Sequence, residues 1–254
     1  MQSIDINCDM GESTLLWPYH IENDLALLQY VSSINIACGA HAGDAATMQT
    51  IITAAAKNNI AIGAHPSFED RENFGRTNHT LSPAAVYQLL CAQITFLQTV
   101  AVAAGAAVAH VKPHGALYNM AAKDDSLSQA IAQAVKDSGI QKLYGLSGSH
   151  LIKAADALGL QAVSEVFADR TYQPDGSLTP RTAPNALIEE DGVAVQQVLQ
   201  MIQQYTVTAV NGTAVAIKAD TVCIHSDGKH ALQFAQQLHS TLRQHRIIIT
   251  APSK

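Results

Sequence analysis

The residues best suited to chemistry lie in the stretch HVKPHGALYN, where an apolar run ends in imidazole, ammonium and glycine. If this stretch begins as a strand, alternation places His110, Lys112 and His114 on one face. Pro113 has no N–H to donate and belongs at the end of a strand, and Gly115 lets the backbone turn sharply. We therefore predict a site at this strand end, with His110 one step inside the strand as an interior packing residue.

Titratable side chains also follow the other predicted strands. These candidates are Asp9, Glu12, His41, Asp44, His65, Asp169, Arg170, His225 and Asp227. Each has an ordinary explanation when taken singly, because Asp44 is suited to cap the next helix and an isolated histidine is often structural. Enzymes built from alternating strands and helices place their sites where strands lead into helices. The recurrence at nearly every strand end therefore favours a functional site for the group.

Strand and helix patterns alternate along the whole chain. The predicted strands cover 4–8, 34–37, 60–64, the run before Lys112, 142–146, 161–166, 221–224 and 247–250. The predicted helices cover about 22–31, 45–57, 83–103, 126–136, a segment ending at Leu158, 191–204 and 230–243. In the first strand, alternation puts Asp5, Asn7 and Asp9 on the face opposite Ile4 and Ile6.

These strand–helix units with short turns favour a parallel sheet with helices outside it. A closed barrel and an open doubly wound sheet both fit the pattern, but no GxGxxG follows the first strand to support a dinucleotide-binding fold. Polar residues at so many strand ends favour the barrel, where these ends meet at one mouth. We predict an α/β fold forming one domain over residues 1–254. The Asn211-Gly212 pair indicates a hairpin insertion near 206–219.

Composition excludes several classes of protein. The chain has 254 residues, of which 48% are hydrophobic and 14% charged, which suits a compact core and argues against disorder. Its net charge of −6 and scattered basic residues argue against nucleic-acid binding. Its four cysteines form no CxxC pair, which favours free thiols in a reducing compartment. The start lacks signal-peptide features and glutamines interrupt the apolar segment 84–109, so we predict a cytoplasmic protein without a membrane span.

A catalytic metal ion is the main chemical alternative for the candidate histidines and carboxylates. Asp and His from neighbouring strand ends can hold zinc with one position open. No HExxH or similar local signature supports a metal, and the ammonium of Lys112 would repel one. Arg76 and Arg181 could bind a substrate carboxylate through paired hydrogen bonds. The residues alone leave the metal and the reaction open.

Six ordered blocks carry a resemblance to a known family. They are DINCDMGE, INIACGAHAGD, IGAHPSF followed by FGR, HVKPHGALYN, SEVFADRTY with GSLTPR, and ADTVCIHSD. Together they cover nearly the whole chain, and in this order they resemble the LamB/YcsF family. The resemblance implies a seven-stranded parallel β/α barrel, TIM-like and similar to polysaccharide deacetylases and certain glycoside hydrolases. The chain departs from the family pattern at HSDGKH and at Ala40, where an aromatic residue is common.

The activity implied by the resemblance is a 5-oxoprolinase reaction, the opening of 5-oxo-L-proline to L-glutamate with hydrolysis of ATP to ADP and phosphate. Two partner subunits are implied. The residues carried over as catalytic are Asp9, His41, His65, Lys112 and His114. Those carried over as substrate-binding are Glu12, Asp44, Arg76, Asp169, Arg170, His225 and Asp227. Because no Walker A sequence is present, ATP is expected at an unconventional site or on a partner subunit.

In the implied mechanism, Asp9 or a neutral histidine activates water and Lys112 stabilises negative charge. Two other functions remain open. A metal-dependent deacetylase or amidohydrolase acting alone on a carbohydrate or amide would contain stoichiometric metal and lose activity to a chelator. A scaffold or carbohydrate-binding module would show no catalysis with any partner, and it explains poorly why charge converges on the strand ends.

Overall fold

Strands and helices alternate through the residues that the computed structural model describes, which are 2–14, 16, 18, 20–226 and 230–253. The strands are β1 (Ser3–Met10), β2 (Ser33–Ala37), β3 (Ala61–His65), β4 (Val108–Val111), β5 (Lys142–Leu146), β6 (Gln161–Phe167), β7 (Thr206–Thr208), β8 (Ala214–Ala216), β9 (Thr221–Ile224) and β10 (Ile248–Ile249). The helices are α1 (Ile21–Leu27), α2 (Ala45–Lys57), α3 (Pro83–Ala103), α4 (Gly115–Ala121), α5 (Asp125–Asp137), α6 (His150–Ala157), α7 (Asp191–Gln204) and α8 (Ala231–Gln244), with a 3-10 turn at Leu28–Tyr30.

Seven parallel strands close into a barrel. Their order is β1, β2, β3, β4, β5, β6 and β9, and β9 pairs with both β6 and β1, which completes the ring. β10 adds in parallel to the start of β1, where Ser3 lies opposite Ile248. Parallel neighbours need crossover connections, so the helices lie outside the ring. The predicted seven-stranded β/α barrel is confirmed, and the alternative of an open sheet is wrong.

The two faces of β1 show how alternation builds this barrel. Ile4 and Ile6 are buried in the apolar core that also contains Met48 of α2, so this face packs against the helices. The opposite face points into the barrel, where the carboxylate of Asp5 reaches the hydroxyl of Tyr144 on β5. An apolar layer therefore lies between strands and helices, whereas the interior of the barrel is largely polar.

Side chains that donate hydrogen bonds to Asp5 fill the barrel at the N-terminal ends of its strands. Asp5 Oδ1 accepts from the hydroxyls of Ser32 (2.6 Å) and Ser33 (2.8 Å), and Oδ2 accepts from Thr221 (2.7 Å) and Tyr144 (3.0 Å). Burial raises the pKa of Asp5, and the four hydroxyl donors act in the opposite direction. These residues, which we call the Asp5 network, join β1, β2, β5 and β9.

His110 lies inside the barrel, as predicted. Its Nε2 donates to Asn35 Oδ1 at 2.8 Å, and its ring stacks on Tyr144 with the centroids 4.1 Å apart. Burial lowers the pKa of His110 to about 3, so the ring is neutral. The ring fills the space beside Gly63, because a Cβ on Gly63 would lie 2.1 Å from His110 Nε2. Gly63 must therefore lack a side chain while the imidazole occupies this position.

Helix α3 is long and apolar enough to cross a membrane by length and composition alone. In the structure it belongs to the outer ring of helices and contacts α5, β3 and β4. Val86, Leu90, Ile94 and Leu97 recur at helical spacing and are completely buried. Ser82 caps the helix through its hydroxyl, which accepts from the N–H of Ala85 at 3.2 Å. These features fit the predicted buried helix.

The connection between α7 and β9 contains the predicted hairpin. β7 and β8 pair antiparallel, with Thr206 opposite Ala216, as the Asn-Gly pair predicted. The division into one domain over 1–254 stays a prediction.

A short helix that the sequence patterns did not reveal follows β4. Gly115 has a φ of +56°, which fits the predicted turn, but residues Gly115–Ala121 continue as the helix α4. The N–H of Ala116 donates to Gly75 O at 2.9 Å and attaches this helix to the loop after β3.

Candidate active site

A cavity of about 450 Å³ opens at the C-terminal ends of the barrel strands. The predicted site residues that line it are Asp9, Glu12, His65, Arg76, Lys112, His114, Arg170 and His225. His41, Asp44 and Asp169 are described but are not among its lining residues. Asp227 lies outside the described residues. Most residues selected from separate strand ends therefore meet at one mouth, as a β/α barrel requires.

The ammonium group of Lys112 lies at the centre of a buried cluster of charges. Its Nζ is 2.8 Å from Asp9 Oδ1 and 2.7 Å from Glu165 Oε1, and it donates to Asn7 Oδ1 at 3.1 Å. Burial opposes the charged form, but the carboxylates, that of Asp9 most, raise the pKa of Lys112 well above its ordinary value. The geometry thus suits Lys112 to holding its neighbours in place more than to contacting a ligand.

The same contacts keep Asp9 ionised. Its Oδ1 accepts from Lys112 and, at 2.8 Å, from Asn35 Nδ2, while its Oδ2 lies 3.4 Å from His65 Nε2. Burial alone would raise the pKa of Asp9, but the charges of His65 and Lys112 hold it well below its usual range. An ionised carboxylate that lines a cavity can take a proton from water, so Asp9 is a candidate general base.

Three histidines surround the carboxylate of Glu12. Its Oε1 lies 2.8 Å from His114 Nδ1, 2.9 Å from His41 Nε2 and 3.5 Å from His65 Nε2. Burial opposes ionisation, but His114 and then His41 hold the pKa of Glu12 well below its ordinary value. We call these four residues the histidine cluster. It joins the turn after β1 to the ends of β2, β3 and β4.

His41 supports Glu12 from a fully buried position. Burial, together with the nearby His114, lowers the pKa of His41 to about 3. In the neutral ring, Nε2 donates to Glu12, and Nδ1 has no hydrogen-bond partner among the described residues. The ring stacks on His114 with the centroids 3.8 Å apart and the planes at 5°. His41 therefore positions Glu12 and His114 from behind the cavity wall.

Backbone carbonyls determine which nitrogens of His65 and His114 carry hydrogen. His65 Nδ1 lies 2.7 Å from Lys112 O, and His114 Nε2 lies 2.9 Å from Phe74 O. A carbonyl oxygen only accepts, so both of these nitrogens are donors. The remaining nitrogens, His65 Nε2 and His114 Nδ1, face each other at 3.0 Å. In neutral rings both would be acceptors, so this contact needs a proton or another cation.

His225 and Asp169 form a second ionisable pair at the cavity. His225 Nδ1 lies 2.9 Å from Asp169 Oδ2, to which it donates. Burial disfavours the imidazolium, but Asp169 offsets this and raises the pKa of His225. Burial likewise opposes ionisation of Asp169, yet His225 lowers its pKa. Because Nδ1 is committed to Asp169, His225 Nε2 is the nitrogen that can exchange a proton with a ligand.

Arg170 and Asp44 make contacts that stabilise the fold. Arg170 Nη2 donates to Thr179 O at 2.6 Å and Nε donates to Ala186 O at 3.3 Å, which orders the long loop after β6. Burial lowers the pKa of Arg170 to about 10. Asp44 caps α2, where its Oδ1 accepts from the N–H of Thr47 at 2.8 Å. Their contacts with substrate stay predictions.

Sequence reasoning missed two residues that shape the site. The carboxylate of Glu165 binds Lys112, and its Oε2 accepts from the hydroxyl of Tyr118 at 2.6 Å. A carboxylate within the otherwise buried strand SEVF was a usable signal, because a fully buried acid needs partners. Tyr118 gave no such signal, since its contact depends on how α4 lies over the barrel.

Two groups of described residues bring possible metal ligands within 4.8 Å of one another. One consists of Asp9, Cys223 and His225, and the other of Glu12, His41 and His114. His65 lies beside the second group, through its contacts with Glu12 and His114. The histidine cluster is therefore a candidate binding position for a metal cation in the cavity.

Comparisons with known proteins identify the family of this chain. The chain matches the LamB/YcsF family over residues 4–254. It is 51% identical over 255 residues to the A subunit of 5-oxoprolinase from Geobacillus kaustophilus, covering 100% of this chain and 98% of that protein. It is similar to the lactam utilization protein of Thermus thermophilus, with 36% identity, a TM-score of 0.90 and coverage of 99% and 100% of the two chains. The catalytic domain of a peptidoglycan N-acetylglucosamine deacetylase from Eubacterium rectale shares the fold at 12% identity and a TM-score of 0.53, over 100% and 89% of the chains. The protein therefore belongs to the LamB/YcsF family.

Proposed function

We propose that this protein is the A subunit of a 5-oxoprolinase, an ATP-dependent cyclic amide hydrolase that opens 5-oxo-L-proline to L-glutamate. The observation that carries the proposal is the 51% identity, over the whole chain, to a protein named as the A subunit of 5-oxoprolinase. Similarity to a lactam utilization protein supports the same class of substrate, because 5-oxoproline is a lactam.

The cavity is suited to a small anionic ring. The substrate carries one carboxylate beside its lactam, and Arg76 and Arg181 both line the cavity. A guanidinium group binds a carboxylate through two parallel hydrogen bonds. Arg76 lies over the ring of Phe74, 4.9 Å from its centroid, which restricts its orientation. We assign the substrate carboxylate to these arginines, with the lactam ring directed towards Asp9 and His225.

The lactam carbonyl becomes a good electrophile once its oxygen is phosphorylated. In the proposed reaction this oxygen attacks the γ-phosphorus of ATP, ADP leaves, and water attacks the carbon of the resulting imidoyl phosphate. Cleavage of the C–N bond then gives γ-glutamyl phosphate, which a second water hydrolyses to glutamate and phosphate. Ring opening also needs a base for the water and an acid for the departing nitrogen. We assign Asp9 as the base and His225, oriented by Asp169, as the acid.

The other predicted catalytic residues act on these groups. Lys112 keeps Asp9 ionised and oriented, and the contact between its ammonium and negative charge on the substrate stays a prediction. His41 holds Glu12, and the cluster formed with His65 and His114 borders the position of the attacking water. These assignments give each predicted catalytic residue a contact that can be tested.

ATP binding, a multisubunit complex and a cytoplasmic location belong to the same proposal. The word subunit in the relative's name supports a complex, which we take to contain two further subunits. The sequence has no Walker A motif, so we assign ATP to a partner subunit or to an unconventional site. The chain alone is then expected to leave 5-oxoproline unopened.

The experiment is an assay of glutamate release and ADP formation by the chain with and without its partner subunits. Activity is expected only in the complex, and Asp9→Asn should lower it by about 10²- to 10⁴-fold, the usual contribution of a general base. Asp125→Asn is the matched control, because this carboxylate is 62% exposed on α5. Wild-type activity in Asp9→Asn would contradict the assigned base, and ring opening by the chain alone would contradict the need for partners.

A further inference from the structure

We propose that Glu12, His65 and His114 hold one divalent transition-metal ion in the cavity. Metal binding goes beyond the function proposed above, because it can be measured whether or not the chain opens 5-oxoproline. The starting observation is that three potential ligand atoms, Glu12 Oε1, His65 Nε2 and His114 Nδ1, lie within 3.5 Å of one another at the cavity. A metal ion bound to both nitrogens would take the place of the proton that their 3.0 Å contact otherwise requires.

The distances between the three ligand atoms suit a single ion. Glu12 Oε1 lies 2.8 Å from His114 Nδ1 and 3.5 Å from His65 Nε2. With metal–ligand bonds of about 2.1 Å, neighbouring ligand atoms lie about 3.0 Å apart in an octahedral site and about 3.4 Å apart in a tetrahedral one. The planes of the two imidazoles meet at 86° and therefore intersect, which leaves positions that lie in both ring planes.

Each of the three ligands is also held by a further contact. His65 Nδ1 and His114 Nε2 donate to backbone carbonyls, the arrangement that fixes the tautomer and orientation of metal-binding histidines. Glu12 Oε1 accepts from neutral His41. Two imidazoles and one carboxylate on a cavity wall match a catalytic zinc site that keeps a position open. This set favours zinc and similar transition metals over magnesium or calcium, which prefer oxygen ligands.

Two other groupings of ligands suit a metal less well. The rings of His41 and His114 are stacked 3.8 Å apart with planes at 5°, so one ion cannot lie in both ring planes. In the group around Cys223, the sulfur accepts a hydrogen bond from the ammonium of Lys112 at 3.2 Å, so an ion there would face a positive charge. Geometry and charge therefore select the set that contains His65.

The ammonium of Lys112 does not exclude an ion at this position. The carboxylate of Asp9 lies between the two, since its Oδ1 is 2.8 Å from Lys112 Nζ and its Oδ2 is 3.4 Å from His65 Nε2. The negative charges of Asp9 and Glu12 are both available to offset the ion. A metal here would supply a Lewis acid for a carbonyl or phosphoryl oxygen that enters the cavity.

The test is metal binding by the full chain after treatment with a chelator, measured by isothermal titration calorimetry with Zn²⁺. One ion per chain is expected, and Glu12→Gln and His65→Gln should each weaken binding by at least about tenfold. His245→Ala, at an exposed histidine on the end of α8, is the matched control and should bind like the wild type. Circular dichroism checks folding, and Glu12→Gln, which keeps the size of the side chain, gives the result if His65→Gln does not fold.

Substitution with Co²⁺ supplies a spectroscopic readout independent of activity. Visible absorption bands of bound cobalt should change in His114→Gln and stay the same in Cys223→Ala. Loss of the bands in Cys223→Ala but not in His114→Gln would place the ion elsewhere and overturn the proposal. If the folded chain binds none of Zn²⁺, Mn²⁺ and Co²⁺, the proposal is also overturned. A shared proton would then account for the contact between the two imidazoles. Bound metal without 5-oxoproline opening in the complex would count against the proposed function alone.

Discussion

The Asp5 network and the histidine cluster occupy opposite ends of the same barrel and satisfy buried charge differently. In the Asp5 network, the carboxylate receives four hydroxyl donors, and each hydroxyl can rotate to suit it. In the histidine cluster, the carboxylate of Glu12 meets rings whose orientations are set by backbone carbonyls and stacking. The first arrangement supplies a donor for every hydrogen bond, whereas the second places two imidazole nitrogens 3.0 Å apart, a contact that requires a proton or another cation.

This difference separates stability from chemistry. A carboxylate surrounded by matched donors has nothing left to exchange with a ligand and mainly joins the strands around it. The contact between the two imidazoles of the histidine cluster requires a proton or another cation, and the cluster borders a cavity through which a cation can enter. Changes in the Asp5 network should therefore affect unfolding, and changes in the cluster should affect binding and turnover.

The largest effect on stability is expected for Lys112, because its buried ammonium group pairs with two carboxylates. Lys112→Met leaves the carboxylates of Asp9 and Glu165 buried without their cation and should destabilise the protein by about 3–5 kcal/mol. Lys218→Met is the matched control, since its side chain is 68% exposed and its ion pair with Asp220 should contribute less than about 1 kcal/mol. Urea unfolding at neutral pH measures both. Equal losses in the two variants would show that the buried ammonium is dispensable.

A smaller effect, confined to stability, is expected in the Asp5 network. Asp5→Ala removes the acceptor for four hydroxyls, three of them on fully buried residues, and should lower the free energy of unfolding by about 2 kcal/mol. Glutamate release by the complex should stay at the wild-type level at temperatures where the variant is folded. A loss of turnover as large as that of Asp9→Asn would remove the distinction between the two ends of the barrel.

The ion pair of His225 and Asp169 should make the rate of turnover depend on pH. The pKa of His225 is raised by Asp169, so its protonated form persists above the ordinary range and is lost as the pH rises through the folded-state value. A reaction that needs this acid should slow by about tenfold per pH unit above that value. His225→Gln should be slow and lack this alkaline limb. An unchanged limb in the pH profile of His225→Gln would assign the acid to another group.

The smallest effect is expected at Asp44, which caps α2. Asp44→Ala should cost about 1 kcal/mol in unfolding free energy and leave turnover unchanged. Ser82→Ala removes a comparable cap from α3 and serves as the control. If turnover falls in Asp44→Ala but not in Ser82→Ala, the predicted substrate contact of Asp44 gains support.

The alternation of strands and helices was predictable from sequence because its rules are local, whereas the seven-stranded barrel followed from the family resemblance. Alternation in β1 separates Asp5, Asn7 and Asp9 from the apolar face, whose residues Ile4 and Ile6 lie in the core. The cap at Ser82 and the Asn211-Gly212 hairpin also depend on neighbouring residues only. Charged residues at the strand ends then indicate where the mouth of the barrel lies, although the sequence gives no distances between these residues.

The arrangement within the mouth was not predictable in this way. Whether His65 and His114 face each other depends on the closure of the ring and on carbonyls of Lys112 and Phe74, which any residue type could supply. The ion pair of Lys112 with Glu165 likewise depends on the barrel, because Lys112 directly follows β4 and Glu165 lies in β6, two strands away in the sheet. Contacts set by backbone atoms and distant strands leave little trace in residue type.

The close approach of His110 to Gly63 has a consequence for how sequences of this family can vary. The imidazole occupies the volume that a side chain on Gly63 would need. A relative with alanine at position 63 should therefore carry a smaller residue at position 110, and the two substitutions should arise together. Anyone redesigning the barrel interior would have to treat these two positions as one choice.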